Sequence, residues 1–232
     1  MTDVNQGESL IAGFEAFYNG KSPVDGMTFA ALPWDIGEPQ PRVVDSVRAG
    51  RFSGRVLDSG CGLGDNTIHL TGLGYDVLGV DGAPTAVEWA RRRARAQGVP
   101  AQFAVADVTR LDGYEDSFDS ILDSGVYDCF DAELRRRYVA ALHRAARPGA
   151  RFILYCLSDL VPCELPGVYR IDEQILRDDL GGGGWPITDL RRDTFLVNEY
   201  AGHFFREQGL TVDFDDRGRV ALPAWAVEAV RA

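Results

Sequence analysis

Lysine is almost missing from this chain. Lys21 stands alone, and arginine supplies the rest of the basic charge. Acids outnumber bases 35 to 24, for a formal net charge of −11. A surface of that sign repels phosphate backbones, so nucleic acid is not an expected partner. Arg91-Arg92-Arg93-Ala94-Arg95 is a basic cluster, and its helical setting reads as a solvated helix face. Long apolar runs are lacking too. None reaches the ~18 residues of a membrane span, so no membrane partner is expected. Residues 1–10 lack the basic start and apolar stretch of a secretory signal. Cysteine is sparse: Cys61, Cys129, Cys156 and Cys163 show no Cys-x-x-Cys spacing. They read as free thiols in a reducing cytosol, which implies a cytoplasmic protein. Histidine is limited to His69, His143 and His203, and no His/Cys/carboxylate cluster has metal-site spacing. His69 and His143 fall in helical stretches flanking the sheet and read as structural or exposed. His203 lies in a later segment, where it could touch an acceptor.

The 232 residues are 45% hydrophobic and 25% charged, ordinary for one soluble α/β domain. Residues 1–32 are mixed, with a helix carrying Phe14, Phe17 and Tyr18 and stopped by Gly20. A Pro- and Gly-rich stretch follows at 33–41, then a short helix at 42–49. Regular alternation starts at Arg55. Short apolar strands are expected at 55–58, 76–81, 102–107, 118–123 and 150–157. Helices are expected between them at 64–73, 84–97 and 131–146, the second opened by Pro84 and closed by Gly98. Arg147-Pro148-Gly149 reads as a stop. Such alternation implies a parallel sheet with helices on both faces. Beyond it come a helix at 172–180, a strand near 186–197, a helix or loop at 198–209 and a last strand near 219–228. Gly181 to Gly184 reads as a helix end plus a flexible loop. No Lys-Ser/Thr follows to make it a phosphate cradle.

The chemistry is carried by Val56 to Gly64. The first strand delivers Asp58 to its carboxyl end, and Gly60, Gly62 and Gly64 then bring bare backbone close to a ligand. The spacing is GxGxG, not the GxGxxG of dinucleotide sites. Asp81 ends the second strand, where a carboxylate can accept both hydroxyls of a ribose. Asp107 ends the third, where a carboxylate can accept from an adenine amine. Taken singly, each acid could merely cap a turn. Together they describe a site for an adenosine with a cationic, amino-acid-like tail. Asp58 would lie near the tail's ammonium, and amides of the glycine turn would face its carboxylate. Cys61 reads as a small packing residue inside the turn.

This arrangement, over residues 55–158, resembles the class I S-adenosylmethionine-dependent methyltransferases. The resemblance implies a Rossmann-like seven-stranded sheet of order 3-2-1-4-5-7-6, its last strand antiparallel, and S-adenosyl-L-methionine as cofactor. It also implies cofactor contacts from Asp58, Gly60, Cys61, Gly62, Asp81, Gly82, Asp107, Val108 and Asp123. Asp123-Ser124-Gly125 would lie beside the methyl group. The chain would be one domain: lid (1–50), cofactor-binding core (51–158), and acceptor side with the last two strands (159–232).

Pro33-Trp34-Asp35-Ile36-Gly37-Glu38-Pro39-Gln40-Pro41 is similar to a stretch of the thiopurine S-methyltransferase-like branch, which includes enzymes that methylate thiols, quinolones and phenols. The similarity implies that Trp34 covers the methionine part of the cofactor, and that the partner is a small-molecule methyl acceptor. Phe14, Phe17, Tyr18 and Phe29 suit a flat apolar acceptor, or else form the core of a small N-terminal helix. Related enzymes often carry His after the fourth strand; here Asp128 stands in that place. Asp128 is therefore the candidate base or acceptor-binding carboxylate, unless it caps the helix starting near Asp131. Tyr127 is a candidate pocket wall. Monomer and homodimer both stay open. Two other readings compete. One is a nicotinamide-dependent oxidoreductase, which the missing Tyr-x-x-x-Lys pair opposes; the other is a binding module without turnover.

Overall fold

A computed structural model describes residues 4–21 and 32–232. Phe29 lies outside the described residues. The elements run in the order α1 (Val4–Tyr18), α2 (Pro41–Arg48), β1 (Arg55–Ser59), α3 (Asp65–Gly72), β2 (Asp76–Asp81) and α4 (Pro84–Ala96). Then come β3 (Gln102–Val105), β4 (Phe118–Ser124), α5 (Ala132–Ala145), β5 (Ala146–Leu157) and α6 (Glu173–Gly182). The chain closes with β6 (Ile187–Val197), α7 (Ala201–Glu207), β7 (Asp213–Phe214) and β8 (Val220–Val230).

The sheet has eight strands in the order β3-β2-β1-β4-β5-β8-β6, with β7 paired to β8 off this path. β1 to β5 are parallel, and β8 runs antiparallel between β5 and β6. The seven long strands follow the expected order. The eighth strand corrects the count. β7 is a two-residue ribbon turned onto β8 through Asp215 and Gly218, too short for any apolar pattern. The stop at Arg147-Pro148-Gly149 is also corrected. α5 ends at Ala145, but Ala146 already pairs with Phe118, and the next pair is Ser120 with Arg151. The Pro-Gly step is thus an irregularity inside β5, where proline is tolerated.

Successive strand residues face opposite ways, so neighbours feed different cores. Leu57, Ile121 and Phe152 pack with Tyr138 and Leu142 of α5 and Leu176 of α6. Val56, Leu122 and Ile153 pack with Val43 of α2, Leu70 of α3 and Phe205 of α7. A third cluster joins Ile68 of α3, Val87 and Ala90 of α4, and Phe103 of β3. Gly183 and Gly184 are not a flexible loop. A Cβ on Gly183 would come 2.3 Å from Val139, and one on Gly184 2.7 Å from His143. Small residues there let the end of α6 seat against α5.

β1 is followed by β2 and β3 to one side, and β4 and β5 lie on the other. The strand order therefore reverses between β1 and β4, and their carboxyl ends open the crevice where ligands of such sheets bind. Among the described residues no helix is long and apolar enough to cross a membrane.

Candidate functional site

β1, β2, β3 and β4 each deliver an acid at or just beyond the carboxyl edge. Asp58 is fully buried, and Thr67 of α3 donates its hydroxyl to Asp58 Oδ2 at 2.5 Å. Burial raises its pKa to about 6, against the opposing pull of the Thr67 bonds. Asp81 is half-buried and accepts the Gly62 amide at 2.9 Å on Oδ2 and the Ala83 amide at 2.8 Å on Oδ1. Burial raises this carboxyl too. Each oxygen keeps a further lone pair for a ligand hydroxyl. Asp107 Oδ1 takes both the amide and the hydroxyl of Thr109, at 2.9 and 2.7 Å. Val108 beside it is buried.

Asp123 differs from these three. It is fully buried and accepts from Val126 N at 2.9 Å, Tyr127 N at 3.0 Å and Tyr138 Oη at 2.8 Å. Burial lifts it to about 8 against those donors. Both its oxygens are held by the chain, so it shapes the turn after β4 from beneath. Tyr127 also departs from expectation. It is fully buried, and its hydroxyl donates to Asp179 of α6 at 2.6 Å. Arg135 bonds the same Asp179 oxygen at 2.8 Å. The ring thus faces the α5–α6 core and not the crevice, because a buried phenol needs a polar partner and Asp179 supplies it.

Asp128 lies in the 3-10 turn Tyr127–Cys129 and is buried. Its Oδ2 accepts the Leu157 amide at 2.7 Å, at the carboxyl end of β5. Its Oδ1 is buried with no hydrogen-bond partner. Burial raises the carboxyl to about 6. It does not cap α5: Asp131 does, accepting from Glu133 and Leu134 amides at 3.0 and 2.9 Å.

The glycine turn is tightly fitted. Gly60, at φ +66°, has no room for a Cβ, which would fall 2.1 Å from Val126 Cγ2. The turn's amides do not behave as expected. Cys61 N bonds Val80 O at 2.8 Å, Gly62 N bonds Asp81, and Gly64 N bonds Cys61 O at 2.9 Å. These three donors are engaged within the chain. Cys61 is half-buried in the turn, and burial holds its thiol well above the usual range.

The N-terminal segments roof this edge. A Cβ on Gly82 would lie 2.8 Å from Ile11 of α1, and one on Gly62 3.2 Å from Tyr18 Oη. Glu15 accepts the Thr85 amide at 3.0 Å, fixing α1 to α4. Trp34 meets Phe14, Phe17 and Tyr18 edge to face, with centroids 5.9, 5.3 and 6.0 Å apart. The stretch around Trp34 is a strap tied at four places. Gln40 mimics a strand partner, bonding Leu196 O at 2.8 Å and Leu196 N at 3.2 Å. Asn198 bonds back to Leu32 and Pro33 carbonyls. Glu38 is held by Arg217 and Arg219, and Asp35 by Arg93. Sequence reasoning missed these ties. It took Arg93 for part of a solvated face, yet Arg93 is half-buried and paired to Asp35 and Asp65.

The histidines stay away from the crevice: His69 is on α3, His143 packs on Trp185, and His203 is exposed on α7. On the acceptor side, Phe195 of β6 covers Gly125, where a Cβ would come 3.1 Å from its ring.

Comparison with known proteins agrees with this edge. Residues 56–149 match a methyltransferase-domain family. The chain is 31% identical to the 2-heptyl-1-hydroxyquinolin-4(1H)-one methyltransferase of Mycobacteroides abscessus, over 97% of this chain and 99% of that one. It is 29% identical to a probable thiol methyltransferase 2 of Arabidopsis thaliana, over 53% of this chain and 55% of that one. A solved structure concerned with the conversion of a disulfide bond into a thioacetal group during echinomycin biosynthesis superposes with a TM-score of 0.81. It is 34% identical, covering 96% of this chain and 92% of that one.

Proposed function

Because the chain belongs to the class I S-adenosylmethionine-dependent methyltransferases, we propose that it methylates an oxygen or sulfur of a small aromatic or heteroaromatic acceptor. Its cofactor is S-adenosyl-L-methionine, not a nicotinamide. The residues present fit that group. Asp58 and Asp81 are anions beside a turn whose Gly62, lacking a Cβ, brings bare backbone up to Tyr18 of α1 and Trp34 of the strap. When bound, S-adenosylmethionine supplies a methyl group carried on a sulfonium.

The chain's own residues do the rest. Asp81 accepts the ribose hydroxyls with its remaining lone pairs, and Asp107 accepts the adenine amine beside Val108. Asp58 faces the ammonium, and Trp34 covers the methionine part. Gly60 and Gly82 make room for Val126 and Ile11, and Gly62 keeps the backbone bare beneath the strap. Asp123 sets the turn after β4 and acts through position only. The roof of α1 and the strap excludes water and aligns donor with acceptor. Such alignment alone contributes on the order of 7–11 kcal/mol to lowering a barrier. Asp128 accepts the proton of a hydroxyl acceptor, or binds it, through the unpaired Oδ1.

The observation that carries this reading is the reach of the similarity. It extends over 97% of the chain to a methyltransferase of a hydroxyquinolone, so it includes the aromatic roof and the acceptor-side strands as well as the core. The edge-to-face cluster of Phe14, Phe17, Tyr18 and Trp34 suits a flat ring. The test is a panel of phenols, hydroxyquinolines, thiols and amines with methyl-labelled S-adenosylmethionine, read by mass spectrometry. Labelled ethers or thioethers are expected. Label found solely on nitrogen or carbon would overturn the proposal.

A further inference from the structure

An amino-acid tail above the glycine turn brings a carboxylate with it, and a buried carboxylate needs donors. The usual source would be backbone amides of the turn. Here the amides of Cys61, Gly62 and Gly64 bond Val80, Asp81 and Cys61 instead. The N-terminal end of α3 offers little more. Asp65 already sits in its first turn, and Arg93 is held between Asp65 and Asp35. The charged groups beneath the turn, Asp58 and Asp81, are negative and repel a carboxylate.

One donor reaches the turn from the opposite side. Tyr18 Oη lies 3.2 Å from where a Cβ of Gly62 would be, and Trp34 Nε1 lies 3.9 Å from the same point. The two rings meet edge to face, so the Trp34 indole N–H and the Tyr18 hydroxyl converge on the same point of the turn. Indole nitrogen only donates, and its nearness opposes the rise that burial gives the Tyr18 pKa. The phenolic proton is left to donate.

We propose that Tyr18, backed by Trp34, is the residue that binds the carboxylate of the cofactor's amino-acid tail. The tail's two charges are then sorted across the turn: ammonium toward Asp58 below, carboxylate toward the roof. Burial, together with the nearby Asp81 and Cys61, holds the Tyr18 hydroxyl well above its usual pKa, so it stays a donor through the neutral range. Docking of α1 and recognition of the tail thereby become one event. The inference rests on the cofactor assignment.

Calorimetry on the full chain tests it with two probes: S-adenosylhomocysteine, and its decarboxylated form, which keeps the ammonium and lacks the carboxylate. Tyr18→Phe removes the hydroxyl and keeps the ring. It is expected to weaken S-adenosylhomocysteine by ~10- to 100-fold, the worth of one bond to a charged group. Binding of the decarboxylated probe should change by no more than about twofold, because it never made that bond. Trp34→Phe should give a smaller loss of the same selective kind. Equal weakening of both probes would assign Tyr18 to packing and overturn the proposal. Unchanged S-adenosylhomocysteine affinity in Tyr18→Phe would overturn it too. Failure of the unmodified chain to bind S-adenosylhomocysteine would remove the cofactor assignment itself.

Discussion

Arg93 of α4 grips Asp35 of the strap in a fork, Nη1 to Oδ1 at 3.0 Å and Nη2 to Oδ2 at 2.6 Å. The same guanidinium reaches Asp65 Oδ2 at 2.6 Å, in the first turn of α3. One side chain thus ties the strap that carries Trp34 to the helix that follows the glycine turn. Exposed ion pairs contribute little, but this one is bidentate and mostly covered. Arg93→Ala should destabilise by about 1–2 kcal/mol, lowering Tm by ~2–8 °C in a chain of this size. Arg93→Lys should restore less than half of that, since an ammonium cannot make the fork. A thermal melt identical to the unmodified chain would show that the strap is held elsewhere.

Asp58 should make cofactor affinity depend on pH. Its folded pKa is about 6, raised chiefly by burial. Below that value the carboxyl is neutral, and the attraction proposed for the cofactor's ammonium would be lost. S-Adenosylhomocysteine should therefore bind more weakly as pH falls from 7.5 to 5, approaching tenfold per unit at the acid end. Asp58→Asn should bind weakly with a flat profile. A slope that survives in Asp58→Asn would move the linkage to another group.

Stability of the ligand-free chain should run the other way. Asp58 and Asp128 titrate at about 6 and Asp123 at about 8 in the folded state, against ~3.9 unfolded. Between those values the folded chain holds more protons than the unfolded one. Stability from these groups is full below pH ~4 and is lost as pH rises to about 6 for the first two and about 8 for Asp123. Urea midpoints across this window, compared with those of Asp123→Asn, measure the effect. An unaltered pH slope in the variant would rule out Asp123.

Gly60 and Gly98 separate strain from collision. Both have positive φ, +66° and +68°, but nothing lies within 4 Å of a Cβ on Gly98. Gly98→Ala should cost ~1–2 kcal/mol from backbone strain alone. Gly60→Ala adds the clash with Val126 and should cost ~2–5 kcal/mol. Denaturant unfolding of the pair decides; equal losses would mean that Val126 moves aside freely.

Asp128→Asn should slow methylation of a hydroxyl acceptor by ~10²-fold or more and affect a thiol acceptor far less. A thiol ionises near neutrality and needs little help from a base. Equal rates for variant and unmodified enzyme on both acceptors would take Asp128 out of the chemistry.

Much of this was legible in the sequence. β2 and α4 are bounded within a residue of expectation, since apolar runs closed by Asp81, Pro84 and Gly98 leave little choice. The acids at the strand ends could be placed because a parallel strand has one carboxyl edge. What escaped were contacts between distant segments. Tyr127 turns inward because Asp179, 52 residues away, offers a partner. Gln40 closes on Leu196 across 156 residues. Neither follows from local periodicity. The glycine-turn amides were misjudged for the same reason: Asp81 takes the Gly62 N–H before any ligand can.

A two-by-two binding experiment reaches the proposed contact between Asp81 and the ribose most directly. The unmodified chain and Asp81→Asn are each titrated with S-adenosylhomocysteine and with its 2′-deoxyribose analogue. The unmodified chain should prefer the ribose form by ~5- to 100-fold, and that preference should vanish in Asp81→Asn. A preference of the same size in both proteins would contradict the account.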